Sequence, residues 1–126
     1  MCIRDSGGSN DKMQTAEDVA DLVTEFMNAG ASSVLLDAYH KDAYGGTGER
    51  FDWSLIPDRE VLSKHGFENG SLILAGGLTP DNVGEAVAQI QANDLPVVAV
   101  DVSGGIERER GIKDLSKMGT FVKNIL

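Results

Sequence analysis

Three short apolar runs constrain this chain more than any other feature of it. They are SSVLLDA at 32–38, SLILAGG at 71–77 and PVVAVDVSGG at 96–105. A strand with one wet face alternates apolar and polar residues, whereas these runs are apolar at consecutive positions. Both faces of each strand are therefore expected to be covered. Segments of helical period lie between them. Thr15-Ala-Glu-Asp18 reads as a capping box, followed by Ala16, Val19, Ala20, Val23 and Met27, with Gly30 as a left-handed stop. Thr79-Pro80 opens a second helix with Val83, Ala86, Val87 and Ile90 on one stripe, and Asp114 opens a last one with Leu115, Met118, Val122 and Ile125. Between the first two runs, AYGGTGERFDWSLIP (43–57) begins as a glycine loop. There Asp52 is a candidate helix cap between Phe51 and Ile56, and Pro57 either limits that helix to a turn or forces a restart near Asp58. Helices alternating with buried strands predict an α/β fold built of parallel (β/α) units. Three strands leave little to cover one face of the sheet and two edges with unpaired backbone groups, so self-association through those edges is expected.

The chain ends of those runs are where chemistry collects. In a parallel α/β fold, ligands bind at the carboxyl ends of the strands. Those ends carry Asp37, then Gly76-Gly77, then Asp101 followed by Ser103-Gly104-Gly105. Gly76 and Gly77 permit close backbone approach, and a helix starting at Thr79 would point free N–H groups at whatever sits there. That describes a phosphate nest, and it equally describes a tight strand-to-helix turn. A second glycine exit on the next strand favours the phosphate, since the last two loops of a (β/α)₈ barrel build such a place. Asp37 is either a general acid or a turn residue bonded to the following backbone, and Asp101 carries the same two readings. Trp53 reads as a core wedge ahead of a ligand stacker, and Met13, Met27 and Met118 as packing residues. His40 and His65 have no partner at ligand spacing, so no metal site is read.

Charge and cysteine content exclude several classes of partner. Lys and Arg total 11 against 20 Asp and Glu, a formal net charge of -9, which disfavours nucleic acid and anionic membrane surfaces. A small phosphorylated ligand is still open, because backbone N–H groups bind phosphate without lysine. One cysteine, Cys2, rules out an internal disulfide framework, and a reducing cytoplasm is the expected location. No apolar run approaches the roughly 20 residues of a membrane span, and no secretory segment is visible. The length of 126 residues suits one core. The opening stretch MCIRDSGGSN has neither helical nor strand period. Residues 1–10 are set apart as a tail, linker or scar, with 11–126 as the folded unit.

Taken in order, VLLDAY, GGTGERFDW, LILAGGLTPDNV, VDVSGGIE and GIKD resemble the carboxyl-terminal part of the phosphoribosylanthranilate isomerase family over roughly residues 15–126. The resemblance implies the last three strands, with their helices, of a TIM (β/α)₈ barrel. It implies a cofactor-free Amadori rearrangement of N-(5-phosphoribosyl)anthranilate in tryptophan biosynthesis. On these positions Asp37 matches the family's general acid, which protonates the ribose ring oxygen, and Asp101 matches an acidic residue that positions substrate. Gly76, Gly77, Ser103, Gly104 and Gly105 match the phosphate-binding exits, with Gly104 where the family more often has serine.

Two parts of the family pattern are absent from this sequence. The family's base is a cysteine in a Lys-x-Cys-Gly setting, and an arginine after the second strand holds the anthranilate. Cys2 lies in MCIRDS, without that setting, and receives no base role. The expectation is a fragment that holds the acid and phosphate halves of the site and is inactive as an isolated chain. Two other readings are a non-catalytic phosphosugar-binding half-barrel and another phosphate-binding barrel enzyme such as indole-glycerol-phosphate synthase.

Overall fold

The computed structural model describes residues 2–4, 15–37, 56–67 and 71–126. Four parallel strands form one sheet in chain order: β1 (Cys2–Arg4), β2 (Val34–Asp37), β3 (Leu72–Ala75) and β4 (Val97–Val100). The sheet is parallel, as the consecutive apolar runs predict. Its fourth member comes from the stretch that sequence reasoning set apart as a tail. Cys2, Ile3 and Arg4 pair in parallel with Leu35, Leu36 and Asp37. A three-residue edge strand needs only backbone pairing, which leaves no periodicity in the sequence to find. The Asp52 cap, Trp53, His40 and Met13 lie outside the described residues.

Helix α1 (Ala16–Asn28) starts as its sequence dictates. Thr15 Oγ1 accepts from the Asp18 amide at 3.2 Å, and Asp18 Oδ2 accepts from the Thr15 amide at 3.1 Å. It ends in a Schellman turn, with Ala31 N–H donating to Phe26 O and Gly30 N–H to Met27 O, and with Gly30 at φ 105°. Helix α2 (Arg59–Lys64) is capped by Asp58, whose Oδ1 accepts from the Val61 amide at 2.8 Å. Helix α3 (Val83–Ala92) closes on the same 6→1 and 5→2 bonds through Leu95 and Asp94. Asp94 takes the left-handed position without being glycine, at φ 46°, and its carboxylate accepts from Arg59 Nε at 3.2 Å. No sequence rule flagged that stop.

The core lies between the sheet and the helices. Val34 and Leu36 of β2 and Leu72 and Leu74 of β3 pack with Val19, Ala20 and Val23 of α1 and with Val83 and Ala86 of α3. Register places Leu35 and Ile73 on the opposite face, where they are half-buried, while Val98 and Ala99 of β4 are exposed. The described helices thus cover one face of the described sheet, and little covers the other, as expected of so few strands.

After β4 the chain makes a 3₁₀ turn (Gly104–Ile106) and a hairpin of β5 (Glu107–Glu109) and β6 (Ile112–Lys113). It ends in helix α4 (Leu115–Ile125). Asp114 caps α4 as expected, its Oδ1 accepting from the Lys117 amide at 3.1 Å. Of the expected apolar stripe, Ile125 packs half-buried against the core, while Leu115, Met118 and Val122 are exposed. Leu115 and Val122 are 83% and 56% exposed, and Phe121 is the buried residue. Polar anchors set this rotation: Asn124 Nδ2 donates to Pro80 O at 2.7 Å and Lys117 Nζ to Glu107 O at 2.8 Å. Residues 117, 121 and 124 share a helix face at the i, i+4, i+7 spacing, so fixing the outer two turns Phe121 inward.

His65 joins α2 to α1. Its Nδ1 lies 2.8 Å from Val61 O, and its Nε2 lies 2.9 Å from Asp21 Oδ1 and 3.8 Å from Glu17 Oε2. The Val61 carbonyl, and then the Asp21 carboxylate, raise the His65 pKa above 6.5 by favouring the imidazolium. A folded-state pKa above the unfolded value stabilises most below the unfolded pKa, and the effect is lost as pH rises through the folded pKa. The urea midpoint difference between wild type and His65→Ala should therefore be larger at about pH 5.5 than at about pH 8.5. An equal difference at both pH values would assign His65 a packing role alone.

Candidate functional site

Because β2, β3 and β4 are parallel neighbours, with one register shift between β3 and β4 at Leu72/Ile73, their carboxyl ends finish along one end of the sheet. Asp37 is the register partner of Ala75, and the Asp101 amide donates to Leu74 O at 2.8 Å, which continues the ladder past β4. The two carboxylates named from the sequence therefore flank the end of β3, two strand spacings apart, about 10 Å. Asp37 is half-buried and Asp101 exposed. Cys2 is the register partner of Leu35, two residues below this edge.

The exit of β3 needs both of its glycines. Gly76 has φ 91° and Gly77 has φ 64°, each a conformation that costs an L-residue about 1–2 kcal/mol. Asn82 then ties the turn together. Its Nδ2 donates to Gly77 O at 2.8 Å, its Oδ1 accepts from the Thr79 amide at 2.7 Å, and its own amide donates to Thr79 Oγ1 at 3.3 Å. This corrects the expected helix start at Thr79: α3 begins at Val83, one turn later. The Thr79 N–H is occupied by Asn82, so it does not point freely at the strand ends. Thr79-x-x-Asn82 has capping-box spacing, which was the signal for this clamp, with Asn in place of the usual Glu or Gln.

The exit of β4 lies directly against that turn. A Cβ on Gly105 would overlap the Leu78 carbonyl oxygen and stand 2.9 Å from its carbonyl carbon and 3.1 Å from Thr79 Cα. Gly105 therefore makes room for the neighbouring backbone. At Gly104, by contrast, a methyl group would meet nothing within 4 Å, so that side of the loop is open. Ser103 is exposed beside it. The structure thus brings the two glycine exits into contact, as their adjacent strands require.

Lys113 closes the loop from the other side, and sequence reasoning assigned it no part. Its Nζ donates to Ser103 O at 2.9 Å, to Ser103 Oγ at 3.3 Å and to Glu107 Oε1 at 2.9 Å. The Lys113 hydrogen bond, followed by one from the Gly111 backbone, holds the Glu107 carboxyl below its ordinary pKa. Lysine's place in GIKD, ten residues after Ser103, was visible, but only the β5–β6 hairpin folds it back onto Ser103. Among the described residues, no group of three or more His, Cys, Asp or Glu side chains could hold a metal ion. No described helix is long and apolar enough to cross a membrane.

A family model described as N-(5'phosphoribosyl)anthranilate (PRA) isomerase matches residues 2–124. The chain belongs to that family. It is 46% identical over 111 residues to an N-(5'-phosphoribosyl)anthranilate isomerase of Neisseria gonorrhoeae, which covers 88% of this chain and 46% of the relative. A protein of the same name from Stutzerimonas stutzeri is 50% identical over 109 residues, covering 86% of this chain and 45% of the relative. One from Pseudomonas fluorescens is 46% identical over 114 residues, covering 90% and 47%. The chain therefore spans about half the length of the curated relatives it matches. No solved structure matches it. Membership of the family agrees with the resemblance drawn from the strand-end motifs, and the match also takes in the β1 residues.

The contact between the two exits yields a paired expectation. Gly105→Ala should lose about 1–3 kcal/mol of stability in a urea titration, because the added methyl meets backbone that cannot swing away. Gly104→Ala, which meets open space, should stay within about 0.5 kcal/mol of wild type. Equal losses at both positions would mean that the exits do not pack as described.

Proposed function

We propose that this chain carries the acid and phosphate portions of a phosphoribosylanthranilate isomerase site. The observation that carries the proposal is the strand-end row. Asp37 stands in register with Ala75, directly before the two left-handed glycines, and the Ser103–Gly105 exit lies against Leu78. Asp37 thereby stands on the strand next to two backbone exits that meet each other, with open space at Gly104. A phosphoribosyl substrate presents the matching pair of groups, a ring oxygen that needs a proton and a phosphate that needs N–H donors.

In this reading, backbone N–H groups of Gly76–Leu78 and of Ser103–Gly105 hold the phosphate, and the dipole of α3 adds to the field. Asp37 delivers its proton to the furanose ring oxygen. The bond from that oxygen to C1 breaks as the anthranilate nitrogen lone pair forms a C=N bond. A base then takes the C2 proton, and the resulting enol tautomerises to the ketone of the 1-deoxyribulose product. Asp101 lies on the far side of β3 from Asp37, where it positions substrate hydroxyls. We assign no residue of this chain to the base, and Cys2, below the strand-end row, is given no part in the chemistry.

Two measurements test the proposal. The purified 126-residue chain should show no appreciable turnover of phosphoribosylanthranilate, since losing one acid–base partner typically costs about 10²–10⁴-fold. Turnover within about tenfold of the Neisseria relative would mean that a base is present after all. Residues 15–126 should then replace the corresponding segment of that relative. In the chimera, Asp37→Asn should lower kcat by about 10²–10⁴-fold with an unchanged urea midpoint. Normal turnover with a lower midpoint would make Asp37 a turn residue.

A further inference from the structure

Lys113 is bonded in a way that constrains a hydroxyl it does not own. An ammonium group has three protons and no lone pair. Lys113 Nζ donates to Ser103 O, Ser103 Oγ and Glu107 Oε1, at 2.9, 3.3 and 2.9 Å. Toward Lys113 the Ser103 hydroxyl is therefore an acceptor, and its own proton must point along another direction. Ser103 is exposed and adjoins Gly104, around which the loop is open. A hydroxyl prevented from donating inward is left to donate outward, to a group that only accepts. Phosphate oxygens are such a group. Glu107 sits on the same nitrogen, so its negative charge offsets the ammonium's field beyond the immediate contact. What Lys113 contributes is orientation more than attraction.

We propose that Lys113 is a positioning residue for the substrate's phosphate, acting through Ser103 by holding the Ser103 carbonyl and fixing the Ser103 hydroxyl as an outward donor. The proposal rests on the phosphate reading above and adds a side-chain donor to a site so far made of backbone. It also explains why the β5–β6 hairpin is needed, since the hairpin returns Lys113 to a residue ten positions earlier.

The test is inorganic phosphate titrated into the 126-residue chain, with chloride at equal ionic strength as the control and the urea midpoint as readout. Phosphate should raise the wild-type midpoint. Lys113→Met and Ser103→Ala should each weaken phosphate binding about tenfold, the scale of one hydrogen bond to a charged group. In the Ser103→Ala background, Lys113→Met should add less than about twofold, because the two changes remove one coupled element. Lys113→Arg, which can still donate to both Ser103 oxygens, should stay within about threefold of wild type. An equal cost of Lys113→Met in both backgrounds would overturn the proposal, since lysine would then act by charge alone. Full phosphate binding in Lys113→Met would also overturn it while leaving the backbone site intact. No phosphate response in wild type would remove both the site and the proposal. If Lys113→Met does not fold, Ser103→Ala decides: undiminished binding overturns the proposal, and a loss there with binding kept in Lys113→Arg supports it.

Discussion

The candidate site depends on one contact between two pieces of backbone, Gly105 against Leu78 and Thr79. Neighbouring parallel strands lie about 4.8 Å apart, and their exits can merge into one surface only if neither carries bulk toward the other. Gly105 meets that requirement from the β4 side. On the β3 side, Leu78 is buried, which pins the turn from below while its carbonyl faces Gly105. The joined surface of the two exits is therefore a consequence of strand pairing plus one missing side chain. Helix α3 follows it and does not create it.

Polar side chains hold this surface in shape. Asn82 binds the β3 exit through Gly77 and Thr79, Lys113 binds the β4 exit through Ser103, and Asn124 ties α4 to Pro80 at the head of α3. Each of these residues lies after the loop it restrains, so each loop is locked by chain that follows it. The same logic sets the rotation of α4. Lys117 and Asn124 fix one face inward, which buries Phe121 and leaves Leu115, Met118 and Val122 outside. Anchoring by hydrogen bonds at both ends outweighs the pull of the larger apolar stripe when that stripe has no described surface to cover.

The open face of the sheet belongs to the same account. Leu35 and Ile73 are half-buried, and Val98 and Ala99 are exposed, although the runs that contain them are apolar throughout. Strands with apolar residues on both faces suit a sheet buried on both sides, as in a closed barrel. The chain spans about half the length of its curated relatives, and the described helices lie on one face only. The sequence thus carries more apolar strand surface than the described structure covers.

By itself the sequence determined the parallel sheet, the capped starts of α1 and α4, and the row of Asp37, Gly76-Gly77, Asp101 and Ser103–Gly105 at the strand ends. These are legible because they follow from local rules: consecutive apolar residues, capping spacing, and glycine where backbone must turn left-handed. What only the tertiary structure decided depends on pairs far apart in the chain. Edge strand β1 exists through its register with β2, and Gly105 matters because Leu78 is beside it. Lys113 reaches Ser103 only after a hairpin turns back, and the α4 face is chosen by Pro80 and Glu107. Asp94, left-handed without being glycine, ends α3 against Arg59 of α2. Local periodicity reports which way a side chain points along its own element. Which neighbour it meets there is set by how the elements are brought together, and that information is not local.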